Sequence, residues 1–340
     1  MDTPRRRPTI ADVARRAGVS QAAVSFAVND RPGVSPETRA RILRAAEELG
    51  WRPSAHARAL TEARARAIGL VLAREPSRLE MDSFFVRFLG GIERTLAPRD
   101  FALLLQLVPA EEGIDLSSYE RLSAAGRVDG FLLTDVQIDD PRFELLAASR
   151  MPVVVAGHPV SECPFPWVET EHGAGMAAAA EHLVALGHRR IGFLGGASDL
   201  EFVQLRLVRW QRALEAAGIE PGPVVYVEAG QDAAACALEL LEAGPTAVAC
   251  TSDPLALAVV AAARERGLAV PGDLSVTGFD DSPLASLASP GITSVRVDYA
   301  EFGAAATEAL LAGIEGEPPP DYRPSTPELV VRASTAAPGR

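Results

Sequence analysis

Residues 9–61 read TIADVARRAGVSQAAVSFAVNDRPGVSPETRARILRAAEELGWRPSAHARALT, and the reading of this stretch decides the architecture. Thr9 stands before an apolar run with Asp12 three residues on, the spacing at which a cap residue and an acid satisfy each other's free donors. Ile10, Val13, Ala14 and Ala17 then recur at helical period, and Gly18 supplies the left-handed residue that ends a helix. Only Val19 separates that stop from Ser20, which caps a second helix running to about Asn29. Two helices joined by so tight a glycine-containing turn form a helix-turn-helix. Ser35 and Pro36 open a third helix, because proline at the first helical position forfeits no hydrogen bond. Ile42, Ala46 and Leu49 give that helix its buried face.

The second helix carries the functional signal. Val24, Ala27 and Val28 form its inner stripe, which leaves Gln21, Ala22, Ser25, Phe26 and Asn29 outside. That outer face is small or polar and holds no acid, as a helix lying in a major groove beside phosphates requires. Phe26 is the exception and has two readings: packing against the turn at 31–34, or contact with a thymine methyl. Charge agrees with a nucleic-acid partner. Residues 1–66 hold 13 arginines and 7 acids, a net of +6, whereas the remainder holds 20 and 38, a net of −18. A basic head on an acidic body is the asymmetry expected when one segment meets phosphates. Arg39, beside Thr38 on the third helix, is read as a phosphate contact, while Arg5, Arg6 and Arg7 read equally well as solvated charge.

The run TIADVARRAGVS…VS…VN…VSPETRARI…LGWRP resembles the DNA-binding headpiece of the LacI/GalR family of bacterial transcription regulators. The likeness continues through VDGFLL, EHLVALGHRRIGFLGG, TSDPLALAVVAAARERGLAVPGDLSVTGFDD, ITSVR and ELVVRAST, nearly the full length. It implies DNA contacts from Thr9, Ser20, Gln21, Ala22, Ser25, Phe26, Asn29, Thr38 and Arg39. A hinge over 53–62 follows, in which Ser54 caps a helix through AHARAL too short to persist alone in water. The resemblance implies that two such helices enter the minor groove together, Ala57 allowing close approach and Leu60 acting as an apolar wedge.

From Ala67 onward apolar runs alternate with amphipathic helices. The runs fall at 68–72, 101–108, 128–134, 152–156, 191–194, 224–227, 247–251, 274–278, 293–297 and 329–331. Helical patterns between them include 84–96, 173–186, 204–217 and 255–266. Strands apolar on both faces and separated by helices imply doubly wound parallel sheets, and so many strands imply two α/β lobes. The resemblance specifies a periplasmic-binding-protein-like body: a headpiece over 1–52, hinge and linker over 53–66, and a body over 67–340. Its lobes would comprise about 67–160 with 293–322, and about 161–292 with 323–340, the chain crossing near 160, 292 and 322.

Ligands of such folds bind outside the carboxyl ends of strands. Asp280, after SVTGF, suits bidentate bonding to a hydroxylated ligand, and Arg206 matches the family's effector-contacting arginine. Their alternatives are mutual pairing or exposure. Thr134 and Ser252 end strands and read equally as ligand contacts or helix caps. Gln231 falls where sugar-binding members place a stacking aromatic, Gly157 where relatives often have aspartate, and Arg209 and Trp210 replace a common Gly-Phe pair. Ala22 and Phe26 replace residues that hydrogen-bond to bases in many members, which shifts readout toward apolar contacts, Gln21 and DNA shape.

Enzyme motifs are missing: no GxGxxG after a strand, no P-loop, no GxSxG elbow. His182 and His188 lack HExxH spacing and a third ligand, and neighbouring Asp280 and Asp281 on a loop diverge rather than form a catalytic pair. No cofactor is implied. Cys163, Cys236 and Cys250 form no CxxC pair, no secretory signal precedes the body and no apolar stretch spans a bilayer, so the expected setting is the cytoplasm. The expectation is a homodimeric repressor of a pseudo-palindromic operator, controlled by a small effector such as a sugar. A dimer is favoured over a tetramer because the chain ends in STAAPGR without a heptad segment. The rivals are a solute-binding receptor for transport and, more remotely, a cytosolic enzyme on a doubly wound fold.

Overall fold

The N-terminal helices close on a small core of their own. In the computed structural model, which describes residues 8–28, 31–51, 64–74, 83–109 and 114–339, the chain divides into Met1–Ala65 and Arg66–Arg340. Asn29, Ala57, Leu60 and the hinge over 53–62 lie outside the described residues. The first unit holds α1 (Ile10–Ala17), α2 (Gln21–Val28) and α3 (Pro36–Glu48). Asp12 Oδ2 accepts from the Thr9 amide at 2.9 Å and from its hydroxyl at 2.7 Å, and Gly18 adopts φ 66° to end α1. Ser20 and Ser35 cap α2 and α3, accepting from the Ala23 and Thr38 amides. Val13, Val24 and Ile42 meet with no exposed surface, ringed by Ala14, Ala17, Ala27, Ala45 and Ala46. Each branched side chain contributes about 1.5–3 kcal/mol by burial, enough with the caps to hold three short helices together.

The second unit is two sheets. The first contains β1 (Ala67–Ala73), α4 (Ser83–Leu96), β2 (Ala102–Val108), α5 (Leu116–Ala124), β3 (Gly130–Leu133), α6 (Arg142–Ser149), β4 (Val153–Ala156) and β5 (Trp167–Val168). Its strands run parallel in the order β2-β1-β3-β4-β5. Then follow α7 (His172–Ala185), β6 (Ile191–Gly195), α8 (Glu201–Ala216), β7 (Val224–Tyr226), α9 (Ala233–Glu242) and β8 (Ala247–Cys250). The chain continues through α10 (Asp253–Glu265), β9 (Ser275–Phe279), α11 (Pro283–Leu287), β10 (Thr293–Arg296), α12 (Tyr299–Glu315) and β11 (Glu328–Val330). The second sheet has the order β11-β10-β9-β8-β6-β7, parallel except for β11. The cores of β3, β4, β6, β8 and β9 are buried on both faces, which is why their sequences do not alternate.

Two crossings fall later than 160 and 292. Trp167 and Val168 still pair with β4, so the first crossing follows Val168. Thr293 pairs with Thr277 of β9, so β10 belongs to the second sheet and the next crossing follows Arg296. The chain then returns as α12, which packs on α4, β3 and β4 of the first sheet. That packing is close enough to demand glycine: a Cβ on Gly303 would stand 2.3 Å from the Phe88 carbonyl oxygen, and one on Gly91 2.0 Å from that of Ala300. Residues at the strand ends of both sheets line a common cavity.

Candidate DNA-reading face and effector cavity

On α2, Val24 and Ala27 are buried, while Gln21, Ala22 and Phe26 are exposed and Ser25 is half-buried. The outward residues thus form a continuous patch flanked by the Ser20 cap. Phe26 sits against the turn that follows α2: a Cβ built on Gly33 would lie 3.4 Å from its ring. With 40% of its surface still open, it satisfies the packing reading and keeps an apolar edge on the patch. Thr38 is half-buried, receiving the Ser35 hydroxyl at 2.9 Å, and Thr9 is occupied by its bonds to Asp12.

Arg39 has a task that the sequence did not reveal. Its Nη1 donates to the Ala27 carbonyl at 2.9 Å and its Nη2 to the Arg31 carbonyl at 2.9 Å. A guanidinium at the end of α2 serves carbonyls that the helix leaves unpaired and meets the negative end of its dipole. Support of α2 is a role that the reading of Arg39 as a phosphate contact did not anticipate. Arg39→Ala should lower the stability of the N-terminal unit by about 1–3 kcal/mol, since two charged hydrogen bonds to the backbone at and beyond the end of α2 disappear. Hydrogen exchange at the end of α2 would register it, and unchanged protection there would refute the role.

In the body, a cavity of about 640 Å3 opens between the strand ends of the two sheets. Thr134, Arg206, Gln231, Ser252 and Asp280 all line it, as does Gly157. Arg206 is buried at its floor. Its Nη1 donates to the Thr251 carbonyl at 2.5 Å, its Nη2 to His172 Nδ1 at 3.1 Å, and its guanidinium lies 3.6 Å from the Phe279 ring centroid. Asp280 Oδ1 is 4.0 Å from Arg206, too far for a paired hydrogen bond, so mutual pairing does not exhaust either group. Tyr299 donates its hydroxyl to the same oxygen at 2.6 Å. Burial pushes the Asp280 carboxyl up to about 6, with Arg206 pulling the other way. Burial, together with Arg206, also holds the His172 imidazole neutral, so its Nδ1 accepts the guanidinium proton.

The backbone at this point is unusual. Asp280 and Asp281 have φ 95° and 46°, a left-handed conformation that costs non-glycine residues energy. It is held by Arg296 and Arg332 on the Asp281 carboxyl, at 2.7 and 2.5 Å, and by Arg87 of α4. Arg87 donates to the carbonyls of Asp280 and Asp281 at 3.2 and 2.8 Å, tying the first lobe to the effector-facing turn. Ser252 uses its hydroxyl to cap α10, accepting from the Leu255 amide at 3.4 Å, whereas buried Thr134 caps nothing. Gln231 closes its own turn, its Oε1 accepting from the Glu228 amide at 2.9 Å, and is exposed at the cavity edge. Trp210 is buried in the core against Phe193, away from the ligand space. His172, Tyr299, Arg87 and Glu201 were missed by sequence reasoning, since none stands at the end of an apolar run.

His188 bonds Thr246, Ser275 and the Ala336 carbonyl, so it anchors the C-terminal segment. Among the described residues no cluster of His, Cys, Asp or Glu suits a metal ion, and no helix is long and apolar enough to cross a membrane. The three cysteines are unpaired.

A profile of bacterial regulatory proteins of the lacI family matches residues 9–54, and one of periplasmic binding protein-like domains matches residues 180–335. The chain is 35% identical over 323 residues to the HTH-type transcriptional regulator CelR of Thermobifida fusca, covering 92% of this chain and 94% of that protein. The chain belongs to the LacI family of bacterial transcription regulators. Solved structures of the family superpose on it. A transcriptional regulator CelR–cellobiose complex matches with a TM-score of 0.70 and 31% identity, over 96% of this chain and 100% of that one. The lac repressor dimer bound to operator and the anti-inducer ONPF matches with a TM-score of 0.82 and 25% identity, over 98% and 100%. As a LacI-family regulator, the protein uses its helix-turn-helix unit to bind DNA and its two-lobed body to bind an effector.

Proposed function

We propose that this protein is a cytoplasmic, non-enzymatic, homodimeric repressor that needs no cofactor and releases or seizes a pseudo-palindromic operator in response to a sugar or related metabolite. The observation that carries the reading is the cavity between strand ends, where a buried arginine and a buried carboxyl face one space without saturating each other. Such a pair suits vicinal hydroxyls, which donate to Asp280 and accept from Arg206. A ligand held from both lobes biases their arrangement by its differential affinity, which is all that coupling to DNA requires.

Residues 1–52 act as the reader, 53–66 as the hinge and 67–340 as the sensor. Thr9, Ser20, Gln21, Ala22, Ser25, Phe26, Asn29 and Thr38 make the DNA contacts, and Ala57 and Leu60 work in the minor groove. Thr134, Arg206, Gln231, Ser252 and Asp280 hold the effector. A homodimer is supported by apolar side chains left open on the body: Val86 at 68% and Leu287 at 81% exposure, with Leu105 and Leu107 on edge strand β2. The test is selection of binding sites from random duplexes with the full chain, followed by release in a panel of sugars. An inverted repeat should be enriched and its complex altered by at least one sugar. Failure to enrich any site would end the reading.

A further inference from the structure

We propose that Asp253, at the start of α10, is a positioning residue of the effector site: its buried carboxyl holds the turn from which Asp280 meets the ligand. This rests on the sugar reading above and names what supports its acceptor.

Asp253 occupies the first turn of α10, where an acid ordinarily faces solvent and complements the helix dipole. Here it has no exposed surface, and both oxygens serve segments far along the chain. Its Oδ2 accepts from the Ser282 amide at 2.6 Å. Its Oδ1 accepts from the Ser294 hydroxyl at 2.5 Å, and the Ser294 oxygen in turn accepts from the Asp281 amide at 3.1 Å. The Asp280 amide donates to the Val295 carbonyl at 2.8 Å. Three consecutive amides of the turn are thus tied down, two of them through one carboxyl. β9 makes room for that carboxyl with a glycine: a Cβ on Gly278 would stand 2.3 Å from Asp253 Oδ1.

Nearby arginines serve the neighbouring carboxyls instead, Arg296 and Arg332 binding Asp281 and Arg206 standing 4.0 Å from Asp280. Burying a carboxyl among neutral donors costs stability, and an apolar residue in its place would leave the Ser282 amide and the Ser294 hydroxyl without their acceptor. The turn that these bonds hold is the left-handed pair at Asp280 and Asp281, which relaxes once its supports are removed.

The charge of Asp253 reaches Asp280 as well. Arg206, Tyr299 and Arg87 face the Asp280 carboxyl and favour its ionised form, whereas Asp253 favours the protonated form. Asp281 is balanced by Arg296 and Arg332, and His172 is neutral.

The experiment is calorimetric titration of the full chain with glucose, galactose, cellobiose, maltose, trehalose and sucrose, then a pH series with the sugar that binds most tightly. Asp253→Ala should weaken that sugar about 30-fold or more, the loss expected when a strained left-handed pair is set free. Asp253→Asn keeps the shape and an acceptor oxygen for the Ser282 amide, so it should weaken binding only about fivefold. Its acid midpoint should lie below that of the unaltered protein, because a negative neighbour of Asp280 is gone. Ser294→Ala removes the link to the Asp281 amide alone and should weaken binding about threefold to tenfold. Operator binding without sugar is the control for folding, and Ser294→Ala carries the test should Asp253→Ala fail to fold. Binding by the tested variant within about twofold of the unaltered protein overturns the proposal while leaving the sugar reading intact. So does an acid midpoint in Asp253→Asn at or above the native one, since a residue that merely braces the fold leaves it in place. Binding of none of the six overturns the sugar reading and this proposal with it.

Discussion

Asp280→Asn should weaken effector binding by about 100-fold and abolish the regulatory response at concentrations that saturate the unaltered protein. The asparagine keeps the shape of the side chain, so the left-handed backbone and the Arg87 clamp have no reason to move. What disappears is the charged acceptor, and hydrogen bonds to charged groups are worth about 1.5–3 kcal/mol each, so two hydroxyls account for a hundredfold change. Titration of a panel sugar into both proteins measures this, with DNA binding in the absence of sugar as the control for folding. A variant that still responds normally would move the site elsewhere.

The same carboxyl makes the effect titratable. Burial places it at about 6 against an ordinary value of 3.8, so it loses its charge when the solution is only mildly acidic. Effector affinity should hold steady above pH 7 and fall about tenfold per unit below about 6, a dependence absent from Asp280→Asn. Folding stability of the empty body responds with the opposite sign. The folded state binds this proton more tightly than the unfolded chain, so the group's destabilising contribution is absent below about 3.8 and complete above about 6. Opposed trends in binding and in unfolding temperature are a signature that loosening of the whole body cannot produce.

The parts of this architecture visible in the sequence are those with local causes. Thr9 with Asp12, Gly18, and Ser35 with Pro36 are caps and stops whose chemistry acts within one turn, and each performs that task here. Long apolar runs such as that ending at Thr134 became strands because sheets covered on both faces need them. Partnership between distant segments was less visible. β5 is two residues long and stands just after Pro164 and Pro166, so neither length nor periodicity marks it. β10 reads as a strand, but nothing within it says which sheet it joins; that depends on β9. The same limit explains the site. Strand ends are predictable from the fold, which brought Asp280 and Thr134 within reach, while His172, Glu201 and Tyr299 start helices and arrive by tertiary packing. Arg39 shows it in miniature, since a surface arginine and one that holds two carbonyls have the same local sequence.

Operator affinity should fall by about 10³–10⁵-fold between 50 and 200 mM salt if a dimer touches 6–10 phosphates, a slope of roughly −5 to −9 in log–log form. The charge that drives this is confined: +6 over residues 1–66 against −18 over the remainder. Counterion release depends on the phosphates actually neutralised, so the acidic body does not cancel it once separations exceed a Debye length of about 10 Å. Within the N-terminal unit, arginines differ in what they have to give. Arg16 is bound to Glu48 at 2.5 Å and Arg15 lies 3.2 Å from Asp12, so a phosphate must compete with internal acids at those positions. Arg41 and Arg44 are exposed on α3. Replacing either by alanine should make the slope shallower by about 1 for each phosphate the arginine neutralises, whereas Arg39→Ala should weaken binding at every salt concentration with the slope unchanged. Fluorescence anisotropy across a salt series separates the two classes. A flat response would mean that phosphates do not dominate binding, and a slope change for Arg39→Ala would return that residue to the backbone of the duplex.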